Sequence, residues 1–156
     1  MHSRRIAAIA LAAALPLTAV STGVAQATDY YPPPPPRGDE GCTPGYWKNH
    51  TSAWDVYSPM QTVGSVFSGA SASLADDTLL QALSYQGGTD LLGAERILLR
   101  AAVAALLNST DDVVDYPLFT SEVINRVSAA LASDDRQRIL TLARNLDAKN
   151  TLGCSL

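Results

Sequence analysis

The chain has 156 residues with 11 basic and 15 acidic side chains, 47% hydrophobic residues, and only two each of tryptophan, cysteine and histidine. The acidic balance argues against nucleic acid and anionic membrane surfaces as partners, and the length admits one hydrophobic core but not two. His2 falls in an N-terminal leader, which leaves His50 as the single histidine of the remaining chain and excludes a histidine-rich metal site; no metal and no cofactor is implied.

The leader, residues 1–27, runs from a basic start at Arg4 and Arg5 through an apolar stretch, Ile6 to Val20, to Ala25-Gln26-Ala27. This is the order of a secretory signal peptide, and the apolar stretch is shorter than the roughly 20 residues of a spanning helix. Cleavage after Ala27 leaves nine basic against fifteen acidic residues, a net charge of −6, and no membrane span. The expected location is extracellular. Residues 28–40, T-D-Y-Y-P-P-P-P-P-R-G-D-E, hold five consecutive prolines. Such a run is extended at about 3.1 Å per residue, so this stretch reads as a stiff linker. Residues 41–156 form the single domain. Cys42 and Cys154 stand at its two ends, and an oxidising compartment predicts a disulfide that closes 111 intervening residues.

The domain opens with G-C-T-P-G-Y-W-K-N-H-T-S-A-W, Gly41 to Trp54, which gathers both tryptophans, a cysteine and His50. Pro44-Gly45 is in the order of a type II turn. A helical path from Tyr46 onward places Trp47, His50 and Trp54 on one face. Val56 to Ser73 contains a Ser58-Pro59 turn and no decisive periodicity. Asp76 or Asp77 is the expected cap of a helix through Ser84 that Gly87-Gly88 stops. Asp90 begins a long helix to Leu107 that is apolar on nearly every side, the pattern of a central helix. Asn108 to Asp115 is a polar, acidic loop, and the Tyr116-Pro117 step keeps Tyr116 out of a helix. Thr120 or Ser121 is expected to cap a helix to Ala132. Asp134, with Gln137 three residues on, resembles a capping box that opens the last helix, whose Ile139, Leu140, Leu142, Ala143 and Leu146 face inward. Strand signals are nearly absent. The expected fold is an all-α bundle of four to five helices, closed by one terminal disulfide.

The run C-T-P-G-Y-W-K-N-H, followed by A-W, resembles a group of secreted microbial proteins that carry a C-x-x-G-Y-W-K-N-H signature. That resemblance implies secretion and an intact domain across most of residues 41–156, and it names no catalytic residue.

Two readings of the opening motif stand side by side. In one, Tyr46, Trp47, Lys48, Asn49, His50 and Trp54 form a ligand-binding face, with the aromatic rings as platform and Lys48 and Asn49 as flanking donors. In the other, the two tryptophans anchor the segment to the core and the motif serves only the fold. A small extracellular hydrolase is the enzymatic alternative, with His50 as base beside Lys48 or Asp55, although no G-x-S-x-G elbow accompanies them. The pairs Asp76-Asp77, Asp111-Asp112 and Asp134-Asp135 read chiefly as structural, and the Asp111, Asp112, Asp115 loop lacks the glycine and glutamate of an EF-hand. Arg96 and Arg100 are expected to pair with aspartates. Asn49-His50-Thr51 and Asn108-Ser109-Thr110 fit the glycosylation pattern. The leading expectation is a secreted, non-catalytic binding or surface-associated module that meets an extracellular ligand or surface component through Tyr46 to Trp54.

Overall fold

The computed structural model describes residues 38–156; the expected signal peptide and the proline run lie outside the described residues. Among the described residues the fold is all-α, with seven α-helices and two isolated bridges, Gly41 with Gly153 and Thr62 with Thr78. Three helices are long: α5 (Leu91–Asn108), α6 (Thr120–Leu131) and α7 (Arg136–Lys149). Four are single turns or little more: α1 (Pro44–Asn49), α2 (Val63–Val66), α3 (Ala72–Ala75) and α4 (Leu79–Ala82). None of these helices is long and apolar enough to cross a membrane.

Helix α5 is the axis. Its alanines and leucines leave no polar stripe, and every residue from Ala101 through Asn108 is buried. Complete burial of a leucine such as Leu98, Leu99 or Leu106 is worth about 1.5–3 kcal/mol each, so this helix carries much of the core. Helix α7 lays Ile139, Ala143 and Leu146 against it, and α6 contributes Val123, Val127 and Leu131. The short helices each plug the core with one or two side chains: Trp47 from α1, Val63 from α2, Leu74 from α3 and Leu79 from α4.

Helix starts follow local hydrogen bonding, which moves three of the expected caps. Asp90 does begin α5, accepting the Gly93 N–H at 2.8 Å. Helix α4 is capped by Thr78 and Gln81 in a reciprocal box, because the Asp77 carboxylate is taken by the Tyr85 hydroxyl at 2.6 Å. The Thr120 hydroxyl donates to the Ser109 carbonyl at 3.0 Å and ties α6 to the end of α5. The Phe119 N–H is met instead by the Glu122 carboxylate. Asp134 has φ +50°, a turn conformation that takes it out of the capping position. Asp135 accepts from the N–H groups of Gln137 and Arg138 and opens α7 one residue later than its predecessor would have.

The domain is closed at one end by a Cys42–Cys154 disulfide, with Cα atoms 4.6 Å apart. Chain folding begins ahead of it: the Glu40 carboxylate accepts from the Asp115 N–H and the Ser155 hydroxyl, so Glu40 belongs to the folded body rather than to a linker. Gly41 follows in close contact with the Lys149 carbonyl, where a Cβ would collide.

Candidate functional site

The opening motif folds as the helix α1 and a following 3-10 turn, Thr51–Ala53. Pro44 is not part of a type II turn: the Thr43 hydroxyl caps the helix by accepting the Tyr46 N–H at 3.2 Å, and Pro44 sits in the first turn, where its missing N–H costs nothing. His50 ends the helix, so the backbone changes course before Trp54. The ring set expected on one face is thereby divided. Trp47 and Trp54 point inward and are 1% and 9% exposed, while Lys48, Asn49 and His50 point outward and Tyr46 is half-buried at the boundary.

The outward group is compact. The Tyr46 and His50 rings stack at 4.1 Å with 14° between their planes, and Tyr46 meets Trp47 edge-on at 5.3 Å. His50 Nδ1 lies 2.8 Å from the Tyr46 carbonyl. A carbonyl only accepts, so in this contact Nδ1 is the donor. Among the described residues no hydrogen bond joins His50 to Lys48 or Asp55. Asn49 donates to the Gly45 carbonyl at 2.9 Å, within α1.

The inward group is held by a buried amide network. Asn108 Oδ1 accepts from the Cys42 N–H at 2.8 Å and from the Trp47 indole N–H at 2.9 Å. Its Nδ2 donates to the Cys42 carbonyl at 2.9 Å and to Asn150 Oδ1 at 3.1 Å. Asn150 Oδ1 also accepts the Tyr116 hydroxyl, and its Nδ2 donates to the Ala101 carbonyl. The Trp54 indole completes the stack by donating to the Trp47 carbonyl at 3.1 Å. Both asparagines are fully buried. Burial, with no charged neighbour to offset it, pushes the Tyr116 phenol well above its ordinary value.

Asn108 and Asn150 are the residues that sequence reasoning missed. Asn108 reads as the first residue of a loop and as a glycosylation acceptor; in the fold it ends α5, and both hydrogens of its amide nitrogen are spent. Its position was the available signal, since it continues the fully apolar face of α5 four residues beyond Ala104. Asn150 likewise lies four beyond Leu146 and seven beyond Ala143. Asn49, by contrast, is exposed.

The remaining candidates have local roles. Asp111 Oδ1 accepts the N–H groups of Val113 and Val114 and shapes its own loop. Among the described residues no three His, Cys, Asp or Glu side chains gather as a metal site. Among the described residues Arg100 donates to the Tyr85 carbonyl at 3.4 Å and meets no aspartate.

A second concavity was not signalled by any motif. An open groove of about 740 Å³ runs between α6 and α7, with Asn125 and Arg126 on one wall and Arg138, Thr141 and Asn145 on the other. Ala129, Ala130 and Leu142 supply its apolar lining. The groove exists because α7 spends its large apolar residues on α5, leaving small and polar side chains along the seam with α6.

No curated protein and no solved structure matches this chain. One family model does, that of the protodermal factor 1 C-terminal domain, over residues 42–145. The matched stretch starts at the disulfide cysteine and takes in α1, the central helix and most of α7. The chain therefore belongs to the protodermal factor 1 C-terminal domain family.

Proposed function

We propose that the domain is a secreted, non-catalytic binding module whose contact surface is the outward face of α1, formed by Tyr46, Lys48, Asn49 and His50. The observation that carries this reading is the division of α1 into an anchored side and a presented side. Trp47, Trp54 and Asn108 fix the helix from below, and the disulfide fixes the segment leading into it, so the outward side chains stand on a rigid support. Preorganised groups of this kind lose little conformational freedom when they bind. A stacked phenol and imidazole, an ammonium and a carboxamide offer donors, acceptors and a ring edge to a polar extracellular ligand. Secretion is supported by the leader pattern and by a disulfide whose partners lie 112 positions apart, a bond that persists in oxidising compartments.

Chemical-shift mapping of the mature protein against a panel of extracellular glycans and surface extracts tests the proposal. Tyr46→Ala and His50→Ala should each keep the helical circular dichroism and Tm of the parent and abolish the shifts seen at residues 46–50. Ligand binding that survives both substitutions would remove this face from consideration. Turnover of any panel member, lost in His50→Ala, would replace binding with catalysis.

A further inference from the structure

We infer that the α6–α7 groove is a second binding site, independent of the α1 face, and that it takes a carboxylate-bearing oligosaccharide. The argument starts from charge. Five of the eight basic residues between positions 38 and 156 lie on α6 and α7, whereas ten of the fourteen acidic residues precede α6. Two of the five, Arg126 and Arg138, line the groove beside one carboxylate, Asp135, so this is a part of an acidic domain where an anion meets little repulsion.

Within it, the two guanidinium groups are not equivalent. Arg126 is paired with Glu122 at 3.0 Å, while Arg138 has no carboxylate partner among the described residues. The nearest groove carboxylate, Asp135, is turned to the backbone N–H groups of Gln137 and Arg138 as a helix cap. Arg138 therefore lines the groove with a guanidinium not committed to a carboxylate, and a planar fork of this kind matches a carboxylate. Asn125 on α6 and Asn145 on α7 both line the groove, and neither side-chain amide has a hydrogen-bond partner among the described residues. Carboxamides of this kind give and accept hydrogen bonds together, as vicinal sugar hydroxyls do.

The lining discriminates between anionic partners. Its apolar part, Ala129, Ala130 and Leu142, is small and contains no aromatic ring. An amphipathic helix would need larger apolar anchors to be held there. A saccharide chain lies on such a lining with its C–H faces and turns its hydroxyls and carboxylates to the two polar walls. The groove volume of about 740 Å³ is in the range of sites that hold small ligands.

The test is calorimetric titration of the full mature chain with tetragalacturonate, with cellotetraose and a tetraglutamate peptide as comparators. The expected result is saturable binding of the uronate, weakened by salt and about tenfold weaker in Arg138→Gln, the loss typical of one charge-assisted hydrogen bond. Arg144→Gln makes the same charge change on α7 outside the groove and should alter affinity by less than about twofold. Asn145→Ala should weaken binding, and Tyr46→Ala should leave it unchanged, which separates this site from the α1 face. Failure of the uronate to bind overturns the inference. So does equal binding of cellotetraose, which would remove the carboxylate from recognition, or equal binding of tetraglutamate, which would remove the sugar. Equal losses in Arg138→Gln and Arg144→Gln would reduce the effect to diffuse charge.

Discussion

Two pairs of asparagines divide this molecule. Asn108 and Asn150 sit at the disulfide end with every amide hydrogen bond made inside the protein; Asn125 and Asn145 line the α6–α7 seam and meet solvent. The side chains are chemically identical, and burial alone assigns their work. Inside, an amide that satisfies the cysteine backbone and an indole fixes the geometry of α1, because any alternative leaves buried donors without acceptors. Outside, the same amide costs nothing to leave free and is available to something else.

The sharpest way to break the comparison is to open the disulfide end. Replacing Cys42 and Cys154 together by serine should destabilise the domain by about 4–5 kcal/mol in the chain-entropy account, read from urea unfolding; a change below about 1 kcal/mol would mean that the amide network alone closes the ends. Next in size, Asn108→Ala strands the Cys42 N–H and the Trp47 indole and should cost about 3 kcal/mol, with red-shifted tryptophan emission before global unfolding. An Asn108→Ala domain of parental stability would show that water or relaxation replaces the network.

Tyr116→Phe is the milder probe of the same end. It removes one hydrogen bond to Asn150, worth about 1 kcal/mol. It also carries a pH signature. The folded state holds the phenol proton beyond the pH, about 10, at which the unfolded chain releases it. That contribution is complete below about pH 10 and disappears as pH rises further. Thermal melts above about pH 10 should therefore fall less steeply in Tyr116→Phe than in the parent, and parallel curves would contradict the burial of this phenol. Smallest of all, Asn145→Ala should move stability by no more than about 0.5 kcal/mol, which sets the contrast with Asn108 on one scale.

Much of the frame was legible in the chain itself. Asp90 to Leu107 announces a buried helix because no face of it is polar, and of the five residues that spacing turns inward on the last helix Ile139, Ala143 and Leu146 are buried, while Leu140 and Leu142 are only partly covered. Pairing of two cysteines at opposite ends of the domain needs only their number and the oxidising compartment that the leader pattern predicts. What could not be read is whatever depends on a partner far along the chain. Whether Trp47 faces in or out is decided by Asn108, 61 positions away. The Asp134 cap moved because a turn residue took a positive φ. The groove arises from what α7 does not pack, and absence of packing leaves no periodic mark.

The disulfide also sets how the domain bears load. Residues ahead of Cys42 and behind Cys154 are joined across one covalent bond, and the Gly41–Gly153 bridge lies beside it. A pull between the two chain ends is carried by that bond, and the helices hang off the line of tension as a closed loop. Tension applied across the two ends of the domain therefore adds almost no contour length and leaves α5, α6 and α7 mechanically unloaded. A domain wired in this way keeps its surfaces intact under such a pull, where a through-connected bundle of the same stability would be drawn out.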